Sequence, residues 1–309
     1  MRNKRQRDIV RRWRGNPIIT LENLGFSAGN IKNCSAVKYK DLYILLVDIE
    51  NHSGHHSIHI AESKDGSKFD VREKPFLELR DADTADIGVL DPRVTFLDGK
   101  YYIVYTKKDS KGFRLGLAET VDFKSVKYHG SISEPDTKAG TLFPEKINGK
   151  FARLDRPSSG GRIWISYSDD LVYWGSNEVV LSPRPGYWDA SRIGCSIPPF
   201  RILDNSDWLI FYYGVKETSA GPIYRMGAAI LDAENPSKVT ARSNIPILSP
   251  REYYERVGDL NNIIYCGGGI VEKNTLTIYY GAADSCICKG TVKLKDVIRE
   301  CIISNEDDY

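Results

Sequence analysis

The chain of 309 residues contains no apolar stretch approaching the roughly 18 to 20 residues that a membrane-spanning helix needs. It contains no CxxC pair. Six cysteines, Cys34, Cys195, Cys266, Cys286, Cys288 and Cys301, are scattered, and Cys286-Ile-Cys288 is too close for common zinc spacing. That pattern fits a reduced, intracellular setting and gives no support to a metal site. Histidine is scarce at 5 copies, and four of these (His52, His55, His56 and His59) crowd the polar run HSGHHSIH. No acid or cysteine completes a ligand set there, so the run reads as a solvated hairpin loop entering a strand. Neither sign of charge dominates: the formal net charge of +2 is too small to argue for nucleic acid. The N-terminus, MRNKRQRDIVRRWRG, carries seven Arg or Lys in its first 14 residues. It lacks the apolar core of a secretory signal and reads as a solvated arm packed through Ile9, Val10 and Trp13. The expected location is the cytoplasm. Helical periodicity is also missing, the N-terminal arm being the one stretch that approaches it.

What the chain has in excess is tyrosine, 18 copies, beside 10 Phe and 5 Trp. These aromatics fall in a recurring unit of turn residues, an aromatic-rich strand and a second strand. The unit appears as KDLYILLVDIE (40–50), DGKYYIVYT (98–106), NGKFARL (148–154), NSDWLIFYYGV (205–215) and KNTLTIYYGAAD (273–284), with turns roughly 50 to 67 residues apart. Each is followed by a partner: SIHIAES (57–63), RLGLAET (114–120), RIWISYS (162–168), YRMGAAILD (224–232) and GTVKLKD (290–296). Period-2 alternation of Val, Ile, Tyr and Phe marks strands, and DG or NG marks hairpin turns. Five such units predict an all-β protein, a five-bladed β-propeller. Residues 1–309 form one domain in this reading, with a short basic N-terminal arm over about 1–15.

A propeller gathers its ligand site at the axial mouth, beside the inner strands. The residues there are Asn33, Asp48, the triplet Asp91-Pro92-Arg93, Arg156, Arg192, Tyr213 and Asp284, with Lys138 on the loop leading to the third unit. One acid at the centre with cations around it suits a sugar, whose hydroxyls take polar partners and whose ring face takes an aromatic wall. Plain roles stay open for three of them. Arg93 pairs with a neighbouring unit in one reading, Arg156 is a surface arginine before a strand end, and Asp284 is a capping turn residue.

The stretch GVLDPRVTFLDGKYYIVYT (88–106) resembles the GVEDPRIT…DG.YYITYT signature of glycoside hydrolase family 130, the β-mannoside phosphorylases. TLFPEKINGKFARLDRP (141–157) is similar to that family's LFPEKI.GKY..LHRP. Further blocks follow in order: IWISYSDDLVYW (163–174), SRIGCSIPPF (191–200), YRMGAAILDAENPSKVTAR (224–242), PILSPREYYERVG (246–258) and IYYGAAD (278–284). The resemblance spans roughly residues 16 to 295. It implies the same five-bladed fold and an inverting reaction with one protein carboxylate. An inverting hydrolase needs a second carboxylate roughly 6.5 to 9.5 Å away to activate water. Phosphate is already an anionic nucleophile and needs cations instead.

Carried over by position, Asp91 is the catalytic acid, its proton passing through a hydroxyl of the bound mannosyl ring. Arg156, Arg192 and Lys138 bind phosphate; arginine at 192 stands where the family has lysine and adds a planar fork. Asn33, Asp48, Arg93, Tyr213 and Asp284 bind substrate, and Pro92 and Arg93 hold the turn that aims Asp91. The chain also departs from the family pattern. Asp48 replaces the arginine of LLxR, which calls for a neighbour such as His55 or His56 to compensate. Leu90 replaces the Glu before DPR, Asp155 the histidine of LHRP, and Tyr213 the histidine of YHGV. All four changes are expected on the active face. The implied function is an inverting glycoside phosphorylase of glycosyltransferase type, reversible, that releases α-mannose 1-phosphate from β-mannosides. Its partners are an oligosaccharide or β-mannoside and inorganic phosphate as co-substrate, with no cofactor, no metal, no nucleic acid and no membrane; a homo-oligomer is left open. Three alternatives stand beside it: a β-mannoside hydrolase using Glu255 or Glu145 as second acid, a mannosyltransferase of the same fold, and a non-catalytic sugar-binding propeller.

Overall fold

In a computed structural model that describes residues 8–79, 88–202 and 206–306, strands dominate and fall into five antiparallel meanders. The first runs Asn30–Tyr39, Leu42–Glu50, His56–Ser63 and Asp70–Val71, and the second Gly88–Leu97, Lys100–Asp109, Gly112–Thr120 and Lys127–Ser131. A single parallel pair, His56 with Gly88, joins these two into one sheet. The third is Thr137–Leu142, Phe151–Pro157, Ile163–Ser168 and Gly175–Leu181. The fourth is Arg192–Cys195, Trp208–Lys216, Ile223–Leu231 and Val239–Arg242, with Phe200–Arg201 pairing beside it. The fifth has only three consecutive strands, Ile264–Glu272, Thr275–Ala282 and Cys286–Lys293. Its fourth strand is Arg11–Arg12 from the other end of the chain, in register with Thr291 and Gly290.

The second strands of the first and fourth meanders are apolar on both faces because both faces are covered. Along Leu42–Glu50, Leu45, Val47 and Ile49 pack with Ile270, Tyr279 and Ile287 of the fifth meander. Ile44 and Leu46 pack with Val89, Val94 and Ile103 of the second. Trp208–Lys216 divides the same way: Leu209 and Phe211 face the fifth meander, Trp208, Ile210 and Tyr212 the third. Leu117 and Val104 of the second meander meet Leu142 and Leu171 of the third. Every successive pair of meanders therefore shares a core, and the fifth shares one with the first.

The hairpin signals hold at residue level. Asp98 and Gly99 take φ of 49° and 78°, and Asn148 and Gly149 take 51° and 81°, the left-handed pair that a tight hairpin requires. Helix placement differs from expectation. The N-terminal arm contributes an edge strand at Arg11–Arg12, while its residues 1–7 lie outside the described residues. The long helix is C-terminal, Leu294–Glu306. Leu294, Val297, Ile298 and Cys301 form its core-facing stripe at helical spacing, a period that the alternating stretch GTVKLKD, overlapping its first turn, obscured. The predicted strand GTVKLKD accordingly ends early, at Lys293.

Four of the five innermost strands carry a bulge in the same place. The register slips between Ile31 and Cys34, between Leu90 and Arg93, between Lys138 and Thr141, and between Tyr265 and Gly268. A bulge leaves two residues opposite one and re-aims a side chain. The slipped segments hold Lys32 and Asn33, Asp91 and Pro92, and Ala139 and Gly140 directly after Lys138, and one opens at Tyr265. The bulges bring Lys32, Asn33, Asp91 and Tyr265 to one cavity.

Candidate active site

A cavity of about 310 Å3 is lined by residues from all five meanders: Asn33, Asp48, Asp91, Lys138, Arg156, Arg192, Tyr213 and Asp284 among them. Eight of the nine residues singled out from sequence thus meet. Its volume is at the lower end of the range for ligand sites.

Asp91 sits in the bulge at φ 55°, a conformation that Asp tolerates better than most residues. Proline at the bulge removes no ladder hydrogen bond that would otherwise form. Asn33 Nδ2 donates to Asp91 Oδ1 at 2.6 Å, and the Asp91 amide donates to Asp48 Oδ2 at 3.3 Å. Asn33 Oδ1 has no protein partner and is buried. Arg93 does not reach the cavity, which corrects its assignment as a substrate ligand. It is 1% exposed and donates to the carbonyls of Asp91, Cys195 and Ser196 and to the Tyr265 hydroxyl. Its neighbours are carbonyls of the fourth meander, so its planar fork is used up in clamping that strand to the Asp91 turn.

The acids come from the first, second and fifth meanders, and the cations facing them from the third and fourth. Three carboxylates, Asp48, Asp91 and Asp284, line the cavity, not one. Burial pushes Asp284 up to about 7; Asp91, Asp48 and Asp259 add to this and Lys32 opposes it. Burial also raises Asp48, against the pull of His56. Asp284 occupies the turn between Thr275–Ala282 and Cys286–Lys293 at φ 49° and lines the cavity from there.

Lys138 lies within the strand Thr137–Leu142, not on a loop, and stands directly opposite Arg156 in the ladder. Burial and the charges of Arg156, Lys108 and Arg192 hold its ammonium below the usual lysine range, against Asp91. Its Nζ rests 3.3 Å from the Phe113 ring centroid. Arg156 Nε donates to the Tyr213 hydroxyl at 3.0 Å. Among the described residues neither Lys138 nor Arg156 forms an ion pair. Arg192 donates to Tyr224 at 2.5 Å and to Glu217 at 2.9 Å. Tyr213 stacks on Tyr224 at 5.8 Å and leans on Tyr265 at 5.1 Å, which supplies the expected aromatic wall.

Sequence reading missed Lys32, Tyr224, Tyr265, Leu260 and Ile263 as lining residues. Lys32 and Tyr265 belong to bulges, which leave no mark in alternation patterns. Of the four departures, Asp48, Leu90 and Tyr213 do line the cavity, but Asp155 does not. It is 3% exposed, is paired with Arg153 at 2.8 Å, and points into a separate cavity of about 420 Å3 beside Trp164 and Trp174. Adjacent strand residues face opposite ways, so Arg156 and Asp155 cannot share one site. Glu255 and Glu145 are also elsewhere. Glu255 is fully buried against Arg12 and Tyr280, and Glu145 pairs with Arg201. The histidines disperse: His52 to Ser27, His56 to Asp48, and His59 to Ser57 and the Arg72 carbonyl.

Comparison with known proteins follows the same line. A family profile described as β-1,4-mannooligosaccharide phosphorylase matches residues 8–301. A β-1,2-mannobiose phosphorylase of Listeria innocua is 38% identical over 248 residues, 79% of this chain and 68% of that protein. A β-1,4-mannooligosaccharide phosphorylase of Ruminococcus albus is 32% identical over 307 residues, covering 94% of this chain and 90% of that protein. Among solved structures, the Listeria innocua β-1,2-mannobiose phosphorylase in complex with β-1,2-mannobiose superposes with a TM-score of 0.87. It is 29% identical over 95% of this chain and 99% of that one.

Proposed function

Because the chain belongs to glycoside hydrolase family 130, we propose that it is an inverting phosphorylase of β-mannosides. It transfers a mannosyl group to inorganic phosphate and yields α-mannose 1-phosphate and a shortened acceptor. The observation that carries this reading is the convergence of Lys138, Arg156 and Arg192 on the cavity that holds Asp91. Three cations are what a phosphate dianion requires and what an attacking water does not. The two outlying glutamates that a hydrolase would have called on are both engaged far from Asp91.

The mechanism follows from the layout. Phosphate rests between Lys138, Arg156 and Arg192, positioned to attack the anomeric carbon from the face opposite the leaving oxygen. The mannosyl ring lies toward Asn33, Asp48 and Asp284, with Asn33 Oδ1 and the Asp284 carboxyl offering partners to its hydroxyls. Asp91 delivers a proton through a hydroxyl of that ring to the departing oxygen as the new C–O bond to phosphate forms. Asn33 holds one Asp91 oxygen and leaves the other for the proton. Inversion at the anomeric carbon converts the β-mannoside to the α-phosphate, and the reverse sequence builds a β-mannoside. No cofactor enters these steps.

The five meanders, each sharing a core with the next and the last with the first, support a five-bladed propeller forming one domain. Arg11–Arg12 would complete the fifth blade. Six buried, unpaired cysteines support a reduced, cytoplasmic setting, and no described helix is long and apolar enough to cross a membrane. The relatives act on β-1,2 and β-1,4 linkages, so both belong in the assay. Incubation with α-mannose 1-phosphate and mannose or mannobiose acceptors is expected to release phosphate. Cleavage of β-1,2- or β-1,4-mannobiose is expected to require phosphate. Cleavage at the same rate in phosphate-free buffer, with no release in the synthetic direction, would refute the reading.

A further inference from the structure

The sugar half of the cavity has a cation whose placement the phosphate reading does not use. His56 opens the third strand of the first meander, at the one parallel pair that joins this meander to the second. Its Nδ1 lies 2.8 Å from Asp48 Oδ1, and the other Asp48 oxygen takes the Asp91 amide. Asp48 is 1% exposed and so cannot be swung away by solvent. One carboxylate therefore ties an imidazole on one side to the backbone of the proton donor on the other. The second ring nitrogen, Nε2, stands 3.9 Å from Glu50 Oε2, beyond hydrogen-bond reach. The other cation of this half, Lys32, is occupied by Glu50 at 2.9 Å and Asp259 at 2.5 Å.

We infer that His56 is a specificity-determining residue of the mannosyl subsite, held by Asp48 so that its Nε2–H donates to an oxygen of the bound mannosyl residue. The inference rests on the phosphorylase reading only for the identity of the sugar. Asp48 is a positioning residue in this scheme: it fixes the ring and the Asp91 turn together. The geometry also sets what happens on deprotonation. With Asp48 accepting at Nδ1, a neutral ring keeps its proton there, and Nε2 changes from donor to acceptor. Loss of the proton thus removes the charge and reverses the hydrogen bond at once. The charged groups acting on the ring are Asp48 and Glu50 from its neighbouring strand and Lys32 from the innermost strand, and Asp48 in turn holds the Asp91 amide. Burial by itself would depress His56, but the hydrogen bond and charge of Asp48, with Glu50, carry it above its ordinary value against Lys32. The ring therefore holds its proton to higher pH than a free imidazole does.

The test is calorimetric titration of β-1,2- and β-1,4-mannobiose into wild type and His56→Gln without phosphate, so that no turnover occurs. Glutamine keeps a polar side chain of similar length without the charge. Binding is expected to weaken about 10- to 100-fold in the variant, the range for losing a charge-assisted hydrogen bond. Wild-type affinity is expected to fall more steeply than that of the variant as pH rises from 6 to 9, the variant keeping only the dependence that Asp284 contributes. His56→Arg, permanently charged, is expected to restore affinity without the steeper pH dependence of wild type. Equal affinities and equal pH dependence in wild type and His56→Gln would overturn the inference. Should His56→Gln lose its thermal transition, the His56 Cε1 resonance of wild type decides: a titration midpoint raised by mannobiose supports the contact, and an unmoved one overturns it. An enzyme that releases phosphate while His56→Gln binds normally defeats only this inference. His56-dependent mannobiose binding without phosphate release defeats only the phosphorylase reading.

Discussion

Replacing Asp91 by asparagine isolates proton donation from every structural duty of that residue. The backbone there sits at φ 55°, which asparagine adopts as readily as aspartate, whereas alanine would be strained by roughly 1 kcal/mol or more. The hydrogen bond that Asp91 Oδ1 accepts from Asn33 at 2.6 Å survives, because the new amide oxygen accepts equally well. The Asp91 amide still donates to Asp48, and Pro92 and Arg93 still hold the turn. What disappears is the transferable proton. General acid catalysis is worth about 100- to 10,000-fold, which at about 1.4 kcal/mol per decade is about 2.7 to 5.4 kcal/mol of barrier. Phosphate release from α-mannose 1-phosphate with a mannose acceptor should fall by that factor in kcat, with the melting temperature unchanged. A mannoside whose leaving group needs no proton, such as a nitrophenyl β-mannoside, should recover most of the phosphorolysis rate. A variant within a factor of ten of wild type on mannobiose would refute Asp91 as the acid. A variant equally slow on both substrates would show that the loss lies in geometry.

The cationic half makes a separate prediction. Arg156→Met, which keeps the stem against Tyr213 and removes the guanidinium, should raise KM for phosphate about 10- to 150-fold with a smaller effect on mannobiose affinity, measured by initial rates. Asp284 should leave a trace in stability against pH. Its folded value of about 7 lies above its unfolded one near 3.8, so its contribution is complete below about 4 and is lost as pH rises to about 7. Asp284→Asn should therefore gain stability over wild type across that window, by at most about 4 kcal/mol, and hold the gain above it; urea titrations at pH 4, 6 and 8 check this. The N-terminal strand should be needed for folding. Arg12 bonds Glu255 at 2.7 Å and 2.9 Å, and Glu255 is fully buried. Arg12→Ala strands that charge and should cost about 3 to 5 kcal/mol by chemical denaturation.

Much of this protein was legible in the chain itself. DG and NG turns between aromatic runs located the hairpins because a tight hairpin needs left-handed φ at both central positions. Doubly apolar strands such as YILLV and WLIFYY located the buried second strands of the first and fourth meanders. Ordered motifs named the family, and eight of the nine site residues assigned from sequence line the cavity. Sequence alone misplaced Arg93 and Asp155, since a motif records that a residue is present and not which way it faces. A bulge reverses that direction without any change in composition. It also missed the C-terminal helix, whose first turn overlaps the alternating stretch GTVKLKD, and the role of Arg11–Arg12 as an edge strand, because that strand's partner lies nearly 280 residues away. The strands and their turns are local matters that the sequence by itself determined. The pairing of acids from three meanders against cations from two, the engagement of His56 by Asp48, and the elevated Asp284 were decided only by the tertiary structure. These depend on distances and burial between side chains far apart in the chain, and no local pattern encodes them.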